Sequence, residues 1–478
     1  MNNQQNQKKE PSFLISVLPV ILTIIILSYS ILVLEIDIHI PLVIGAIIAS
    51  IIAVVFLGSK WKDIEQGIVE SIMSTMQAML ILAVVGSLIG SWIISGIVPT
   101  LIYYGLQILS PTFFLVASVI LCSIVSLATG SSWTTAGTVG IALIGVAQGL
   151  NIPIGLAAGA IISGAYFGDK LSPLSDTTNL APGVAGANLF DHIKHMLFTT
   201  SISYGITLVI FAIIGFKFAG QQLDSSSINE LLTVISANYT ISPVLLLVPV
   251  AVIVMVALKV PALPGLIAGI ALGCICALTF QNASLFGVFD SMMYGVTSET
   301  GNAMVDELLT RGGMQGMMWT ISLIMCALTF GGVLEKTGML GCIAEKLLGL
   351  AKKTGSLILV TVVSCLFINI LAGDQYLAIA LPGKMYKDEY KKRGLAPRNL
   401  SRALEDSGTV TSALIPWNTC GATMSTFLGV PTASYFMYCF FNILSPIVSV
   451  IAGYTGFTIM KLEDDPSAEE YKGKKATA

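Results

Sequence analysis

The chain has 478 residues, of which 55% are hydrophobic and 11% are charged, and its formal net charge is −3. Ordinary globular proteins carry about 25% charged residues. Two long stretches contain no charged residue: 98 residues between Glu70 and Asp169, and 54 residues from Ser407 to Met460. A helix needs about 20 apolar residues to cross a bilayer. The composition therefore predicts an all-α polytopic membrane protein, and it excludes a soluble enzyme or a nucleic-acid-binding protein.

The first predicted segment, residues 1–75, holds a polar N-terminal tail, two spans at 12–34 and 40–58, and a polar lead-in. The lysines at the outer ends of this pair of spans place both ends in the cytoplasm, because cytoplasmic loops are enriched in Lys and Arg. These lysines are Lys8, Lys9, Lys60 and Lys62.

The rest of the chain divides into four predicted segments. Residues 76–220 hold about four spans interrupted by glycine and proline, followed by a span at 201–219. Residues 221–313 form a polar linker, two spans at 242–258 and 262–280, and an amphipathic connector. Residues 314–456 resume the apolar pattern, and 457–478 form a polar tail. In total we expect roughly 10–13 transmembrane helices, some of them broken helices or re-entrant hairpins.

An internal repeat is predicted from matches at one offset of 243 residues. Gly130-Ser131-Ser132-Trp133 falls on Gly373-Asp374-Gln375-Tyr376, and the motif that begins at Pro173 falls on the one that begins at Pro416. Coincidence in a glycine-rich chain is the alternative. Residues 384–402 hold seven basic residues, whereas the matching 141–159 hold none. This places the two segments on opposite sides of the membrane, as in an inverted-topology repeat, which is typical of secondary transporters.

The densest polar motif is 168–179, Gly-Asp-Lys-Leu-Ser-Pro-Leu-Ser-Asp-Thr-Thr-Asn. Pro173 lacks a backbone donor, so we expect the helix to unwind there and to free carbonyl oxygens. Oxygen-rich sites suit hard cations such as sodium. The candidate ligands in this motif are Asp169, Asp176, Thr177, Thr178 and Asn179. The alternative is a polar surface loop in which Asp169 and Lys170 form a solvated pair.

A second candidate site combines Asp374 and Gln375 with the hydroxyl run Ser131, Ser132 and Thr134. A carboxylate inside an apolar segment costs about 2.5–3.5 kcal/mol on insertion scales, so Asp374 is a functional candidate. We predict that Asp176, Thr177 and Asp374 bind Na⁺. The alternatives are that Asp374 caps a helix and that the hydroxyls bond back to helix carbonyls.

Glu405 and Asp406 form a third candidate site, for a proton. Two adjacent ionised carboxylates repel each other, so one of them is expected to hold a proton near neutral pH. The alternative is that both carboxylates balance the basic segment before them. His192 and His195 lie in an amphipathic stretch, and we expect them to form a surface cluster.

Residues 168–182 (GDKLSPLSDTTNLAP), 129–135 (TGSSWTT) and 412–419 (SALIPWNT) resemble the NhaC family of sodium/proton antiporters. The resemblance implies Na⁺/H⁺ exchange across the bacterial plasma membrane, and it assigns the main motif to Asp169, Asp176, Thr177, Thr178 and Asn179. Some similar proteins instead exchange sodium-coupled organic acids such as malate and lactate. Ser131, Ser132, Asn418 and Thr419 suit the binding of a small carboxylate at helix N-termini.

The leading hypothesis is therefore a secondary antiporter for Na⁺ and H⁺ that works by alternating access, and the alternative is an organic-acid antiporter with the same fold. An intramembrane aspartyl protease would need a Gly-x-Gly-Asp motif, which the sequence lacks, and ATP-driven transport would need a P-loop, which it also lacks. We expect no enzymatic activity and no cofactor. The expected partners are the transported ions, small organic acids and the lipid bilayer. The oligomeric state is open, a homodimer being one arrangement.

Overall fold

The computed structural model describes residues 10–34, 36–218 and 225–465. Lys8, Lys9, the start of the predicted linker and residues 466–478 of the predicted tail lie outside this range. Within it the chain forms 24 α-helices: α1 (Phe13–Leu32), α2 (His39–Leu57), α3 (Trp61–Ser74), α4 (Met76–Ile94), α5 (Ile97–Ile108), α6 (Pro111–Thr129), α7 (Ser132–Thr135), α8 (Ile141–Gly149), α9 (Ile154–Leu171), α10 (Asp176–Ala185), α11 (Leu189–Phe216), α12 (Ser225–Asn238), α13 (Leu247–Ala257), α14 (Ala262–Phe280), α15 (Leu285–Tyr294), α16 (Ala303–Leu309), α17 (Met314–Lys336), α18 (Met339–Leu348), α19 (Thr354–Ala372), α20 (Gln375–Lys392), α21 (Pro397–Leu404), α22 (Thr419–Leu428), α23 (Thr432–Tyr435) and α24 (Phe440–Thr455).

Five short segments complete these helices. Two are π-helical turns, and the others are 3₁₀ turns. The π turns are Ala136–Gly140, between α7 and α8, and Glu405–Thr409, directly after α21. The 3₁₀ turns are Pro243–Leu246, Ser412–Leu414 and Phe436–Tyr438.

Eight helices of the described residues are long and apolar enough to cross a membrane: α1, α2, α4, α6, α11, α14, α17 and α19. Two bent pairs, α12 with α13 and α23 with α24, raise the number to ten, at the lower end of the expected range. Large apolar side chains on these helices point outward, for example Leu14 (80% exposed) and Val55 (67% exposed). Such a surface suits lipid rather than water.

The internal repeat is confirmed, because equivalent helices begin and end 243 residues apart. Helix α19 matches α6, α22 matches α10, and α20 matches the run from α7 to α8. Gly130 and Gly373, which follow α6 and α19, both adopt a left-handed backbone, with φ of 68° and 65°. Only glycine adopts this conformation at little cost. The repeat is therefore present in the backbone conformation as well as in the amino-acid sequence.

The two repeats have opposite orientations. Helices α4 and α17 each open a repeat, and they pack against each other. Gly90 of α4 lies against Gly312, just before α17 begins. Gly86, one turn earlier in α4, lies against Met317, in the first turn of α17. The Gly313 N–H donates to the Gly86 carbonyl at 2.7 Å. The first helices of the repeats thus run antiparallel, which confirms the inverted topology.

Within each repeat a helical hairpin meets a broken helix. Helix α6 runs parallel to α9, since Gly164 lies against Val119 and Gly168 against Ser123. The run from α7 to α8 returns antiparallel, so Gly130 is the tip of a hairpin. Helix α9 ends at Leu171 and α10 resumes at Asp176, which confirms the predicted break around Pro173. In the second repeat Gly373 forms the tip, and it accepts a hydrogen bond from the Thr419 N–H, just after the matching break, at 2.8 Å.

Two expectations are wrong. The span expected at 201–219 begins at Leu189, because Asn188 caps the helix by accepting hydrogen bonds from the N–H groups of Phe190 and Asp191. The helix therefore carries His192 and His195 inward. Their exposed fractions are 0% and 4%, so they are core residues and form no surface cluster.

Candidate functional site

Four helices begin where the hairpin tips meet the breaks: α7, α10, α20 and α22. Each begins with a side chain that accepts a hydrogen bond from its own first turn. These N-caps are Ser131, Ser175, Asp374 and Asn418, two pairs related by the 243-residue offset. The first N–H groups of a helix lack partners within the helix and give its start a partial positive charge. The arrangement therefore concentrates polar groups and breaks in regular backbone in the interior of an apolar bundle.

Asp169 lies at the junction of the first hairpin tip with the first break. Its Oδ2 accepts hydrogen bonds from the Ser132 N–H at 3.1 Å and from the Ser132 hydroxyl at 2.7 Å. Its Oδ1 has no hydrogen-bond partner among the described residues, although the side chain is only 6% exposed. Leaving a buried carboxylate oxygen unpaired costs free energy, so this oxygen is available to a ligand or a proton.

A cavity of about 300 Å³ opens beside Asp169. Two carboxylates face it, Asp169 and Asp176, and no lysine or arginine lines it. The remaining lining residues are Ser74, Thr75, Gln77, Ala78, Ile81, Ser131, Trp133, Gln375 and Tyr376. The cavity is therefore rich in oxygen atoms and carries formal negative charge, which favours cations.

A second cavity, of about 500 Å³, adjoins the first and shares Ser74 and Tyr376 with it. The Tyr376 hydroxyl donates to Asp176 Oδ2 at 2.5 Å, between the two cavities. Asp374 lines the second cavity: its Oδ1 accepts from the Leu377 N–H at 2.8 Å, and its Oδ2 has no partner among the described residues. Asp374 thus caps α20, as the alternative interpretation held, and still keeps one oxygen free.

The second cavity has a charged mouth. The Lys336 ammonium donates to Glu70 Oε2 at 2.6 Å, and Gln66 donates to the other oxygen. These two donors hold the pKa of Glu70 below its usual range. Lys384, at the start of the basic segment, also lines this cavity. The cavity therefore opens toward the side that carries the basic segment.

Glu405 and Asp406 are adjacent in the chain but contact different neighbours. The π turn begins at Glu405, and both side chains are fully buried. Asp406 forms an ion pair with Lys170 and accepts a hydrogen bond from Thr199 at 3.1 Å. Glu405 Oε1 accepts from the Thr177 hydroxyl at 3.1 Å. Asp406 is thus in an ion pair, whereas Glu405 forms no ion pair among the described residues.

Lys170 is the main residue that the sequence interpretation missed. The alternative interpretation of the motif had it solvated beside Asp169, but its side chain is 0% exposed and points to the other repeat. It also donates to the Ser445 hydroxyl at 2.9 Å. A signal was available: Lys170 follows 98 uncharged positions and a helix of small residues, where a solvated lysine is unexpected. The sequence interpretation also missed Tyr376.

The other predicted residues have varied positions. Thr178 is buried and bonds to the carbonyls of Asp169 and Lys170, whereas Asn179 is exposed. The Thr134 hydroxyl donates to Ser131. Asn418 and Thr419 are buried at the second break, outside the lining of the 300 Å³ cavity.

Comparison with known proteins assigns this chain to a family. The model of the Na⁺/H⁺ antiporter family matches residues 164–457, which hold the first break and the whole second repeat. The chain belongs to this family. The resemblance inferred from the motifs is confirmed.

Three relatives show the range of names that similar chains carry. The Na⁺/H⁺ antiporter NhaC of Alkalihalophilus pseudofirmus is 41% identical, and the alignment covers 95% of this chain and 98% of the relative. The arginine/ornithine antiporter ArcD of Halobacterium salinarum is 39% identical, covering 97% and 96%. The malate-2H⁺/Na⁺-lactate antiporter of Bacillus subtilis is also 39% identical, covering 90% and 92%. The alignments span nearly the full length of each relative, so these chains share one architecture.

Proposed function

We propose that this protein exchanges Na⁺ for H⁺ across the bacterial plasma membrane by alternating access. The observation that carries the proposal is the free Oδ1 of Asp169, buried at the junction of a hairpin tip and a broken helix on the wall of a cavity without basic residues. Inverted-repeat carriers bind their substrates at such broken helices. Both cavities lie toward the basic side, so the conformation is the one open to the cytoplasm.

Sodium would bind between Asp169 and the neighbouring oxygens. Na⁺ is a hard cation, and hydroxyl, amide and carboxylate oxygens are its natural ligands. Ser131, Gln375 and Asp176 face the same cavity and supply such atoms. Asp374 lines the adjoining cavity and would bind the ion on its way in or out. Thr177 acts elsewhere, because its hydroxyl is directed at Glu405.

An organic substrate is the second candidate. About 300 Å³ exceeds what one ion needs, and two of the relatives are named for small organic substrates. The charge of the lining separates the alternatives. A dicarboxylate would meet Asp169 and Asp176 without a counter-charge, whereas a basic amino acid would meet two complementary charges. The lining therefore favours a cation as cargo.

The test is proton flux in proteoliposomes that contain a pH-sensitive dye, with Na⁺, malate plus lactate, or arginine plus ornithine added separately. We expect Na⁺ alone to drive proton flux, and Asp169→Asn to weaken the response to Na⁺. Flux that appears only with an organic substrate would replace Na⁺/H⁺ exchange by the corresponding organic exchange.

A further inference from the structure

Glu405 is a buried carboxyl group outside the cavity that the proposed function uses. It lies in the second repeat, at the first residue of the π turn, and its exposed fraction is 0%. One oxygen accepts a hydrogen bond from Thr177, and the other has no partner among the described residues. π-helical turns occur often at functional sites, because they shift side chains out of the regular helical register. A carboxyl group with only one hydrogen bond in an apolar interior is poorly solvated as an anion, and a bound proton relieves that cost.

A short chain of hydroxyl groups joins Glu405 to the cavity. The Thr177 hydroxyl contacts Glu405 Oε1 at 3.1 Å and the Ser175 hydroxyl at 3.2 Å. The Ser175 side chain in turn interacts with the Asp169 carboxyl group, which lines the cavity. Each hydroxyl can both donate and accept. The path from Glu405 to the cavity therefore runs through Thr177 and Ser175 to Asp169, which lines the cavity.

The charged and titratable groups around Glu405 come from several helices. Helix α9 contributes Asp169 and Lys170, and α19 contributes Cys365. The chain segment around Glu405 itself contributes Asp406 and Arg402, which interact with each other. Helix α10 brings the hydroxyl of Thr177 and, at its first residue, the Asp176 carboxylate, which interacts with Asp169. Helix α24 brings the hydroxyl of Ser445. The charges of Lys170 and Asp406 offset each other in their ion pair. The net charge of the cluster therefore depends on whether Glu405 and Asp169 are ionised.

We propose that Glu405 holds the exchanged proton while Na⁺ binds at Asp169, so that the two ions occupy separate sites joined by Thr177 and Ser175. This inference rests on the proposed function and specifies its coupling. With Glu405 protonated and Asp169 ionised, the group formed by Lys170, Asp406, Glu405 and Asp169 has a net charge of −1. With Glu405 ionised and Na⁺ bound, the net charge is again −1. Exchange of one ion for the other thus keeps the buried charge constant, which avoids the cost of an uncompensated charge.

The proton transfer balances along this path. The O–H bond of Glu405 breaks as an O–H bond forms on the Thr177 oxygen, whose own hydrogen passes to Ser175. The hydrogen of Ser175 passes to the Asp169 carboxylate, and Asp169 releases a proton to water in the cavity that it lines. Each hydroxyl ends with one hydrogen, and Glu405 ends as an anion that the incoming Na⁺ compensates.

The experiment compares two exchange modes of the purified full-length protein in proteoliposomes. Na⁺/Na⁺ exchange, measured by uptake of labelled Na⁺, needs no proton, whereas Na⁺/H⁺ exchange needs one. For Glu405→Gln we expect Na⁺/H⁺ exchange to fall at least about a hundredfold and Na⁺/Na⁺ exchange to stay within about threefold of wild type. The matched control is Glu299→Gln, an exposed carboxylate outside both cavities, which should change neither mode.

Loss of both modes to the same degree, in a variant that is folded and inserted, would overturn the proposal, as would full retention of Na⁺/H⁺ exchange. If Glu405→Gln does not insert, Thr177→Val decides. This variant keeps the shape of the side chain but removes the hydroxyl, and it should lower Na⁺/H⁺ exchange at least about tenfold more than Na⁺/Na⁺ exchange. Equal effects on both modes would refute the path. A wild-type protein without Na⁺/Na⁺ exchange would instead refute the proposed function itself.

Discussion

Lys170 and Asp406 form an ion pair that joins the two inverted repeats, and neither side chain is exposed. Lys170 lies in the last turn of α9 in the first repeat, and Asp406 lies in the π turn of the second. The ammonium group also donates a hydrogen bond to the Ser445 hydroxyl, and the Thr199 hydroxyl donates to the second carboxylate oxygen. The pair thus fixes the position of the broken helix that carries Asp169 relative to the turn that carries Glu405.

Removing one partner of this pair should be strongly destabilising. Lys170→Met removes the ion-pair partner of the buried Asp406, and breaking such a pair typically costs about 3–5 kcal/mol. The double variant Lys170→Met/Asp406→Leu removes both charges and should recover most of that loss. The measurement is the unfolding temperature in detergent. The second single variant is Asp406→Leu. If the losses of the two single variants simply add in the double variant, the residues do not act as a pair.

Replacing Asp169 by Asn tests the cation site. The amide oxygen can still accept the hydrogen bonds of Ser132, so the fold should persist, but the negative charge on the cavity wall is lost. We expect the Na⁺ half-saturation concentration to rise by at least about tenfold, equivalent to about 1.4 kcal/mol of binding free energy. Asp290→Asn is the control, since this carboxylate is exposed and outside the cavity lining. An unchanged Na⁺ half-saturation in Asp169→Asn would remove this residue from the site.

The hairpin tip at Gly130 should tolerate no side chain. A Cβ at Gly130 would lie 2.7 Å from the Leu174 carbonyl carbon, and the backbone has φ of 68°. The left-handed conformation alone costs an L-residue about 1–2 kcal/mol. Gly130→Ala should therefore displace the break next to Asp169 and lower both stability and transport.

A matched control for this change is Gly183→Ala in α10. A Cβ there would meet nothing within 4 Å, and alanine favours the helix by about 1 kcal/mol. This variant should match or slightly exceed the wild type in unfolding temperature and transport. If the two alanine variants behaved alike, the tip geometry would not be a constraint on function.

The positions of the helices and of their breaks were largely predictable from the sequence, because the internal repeat is visible in it. The offset of 243 residues found from a few glycines and prolines also governs the helix bounds, because glycine and proline punctuate helices wherever they occur. The N-capping role of Asp374 was foreseen as an alternative. The partners of Lys170 and the burial of His192 were not predictable, since both depend on contacts with residues more than 200 positions away. A hydropathy pattern predicts that a residue lies in a span, but it does not predict which residues of other helices that residue contacts.

Topology can be tested by labelling single cysteines with a membrane-impermeant maleimide in a cysteine-free background. The residues that suit this test are Asn151, in the exposed turn after α8, and Lys392, at the end of α20. Gln148 is a poorer choice, because the structure partly buries it. The inverted repeat and the basic segment predict labelling of Lys392→Cys from the cytoplasmic side and of Asn151→Cys from the other. Labelling of both from one side would contradict the inverted topology.

Glu70, at the charged mouth of the larger cavity, should have little influence on the pH dependence of transport. Lys336 and Gln66 hold the pKa of Glu70 below its usual range, so the Glu70–Lys336 pair is intact above the ordinary glutamate pKa of about 4.3 and is lost only as the pH falls through the lowered value. Between about pH 5.5 and pH 8.5 the ionisation of Glu70 is therefore constant. Glu70→Gln should keep the wild-type midpoint in the pH profile of Na⁺-driven proton flux. Its Na⁺ half-saturation should rise less than about threefold, since exposed charges are screened within about 8 Å at physiological salt. A midpoint shift larger than about half a pH unit would place a proton-sensing group at this mouth rather than in the buried site around Asp169 and Glu405.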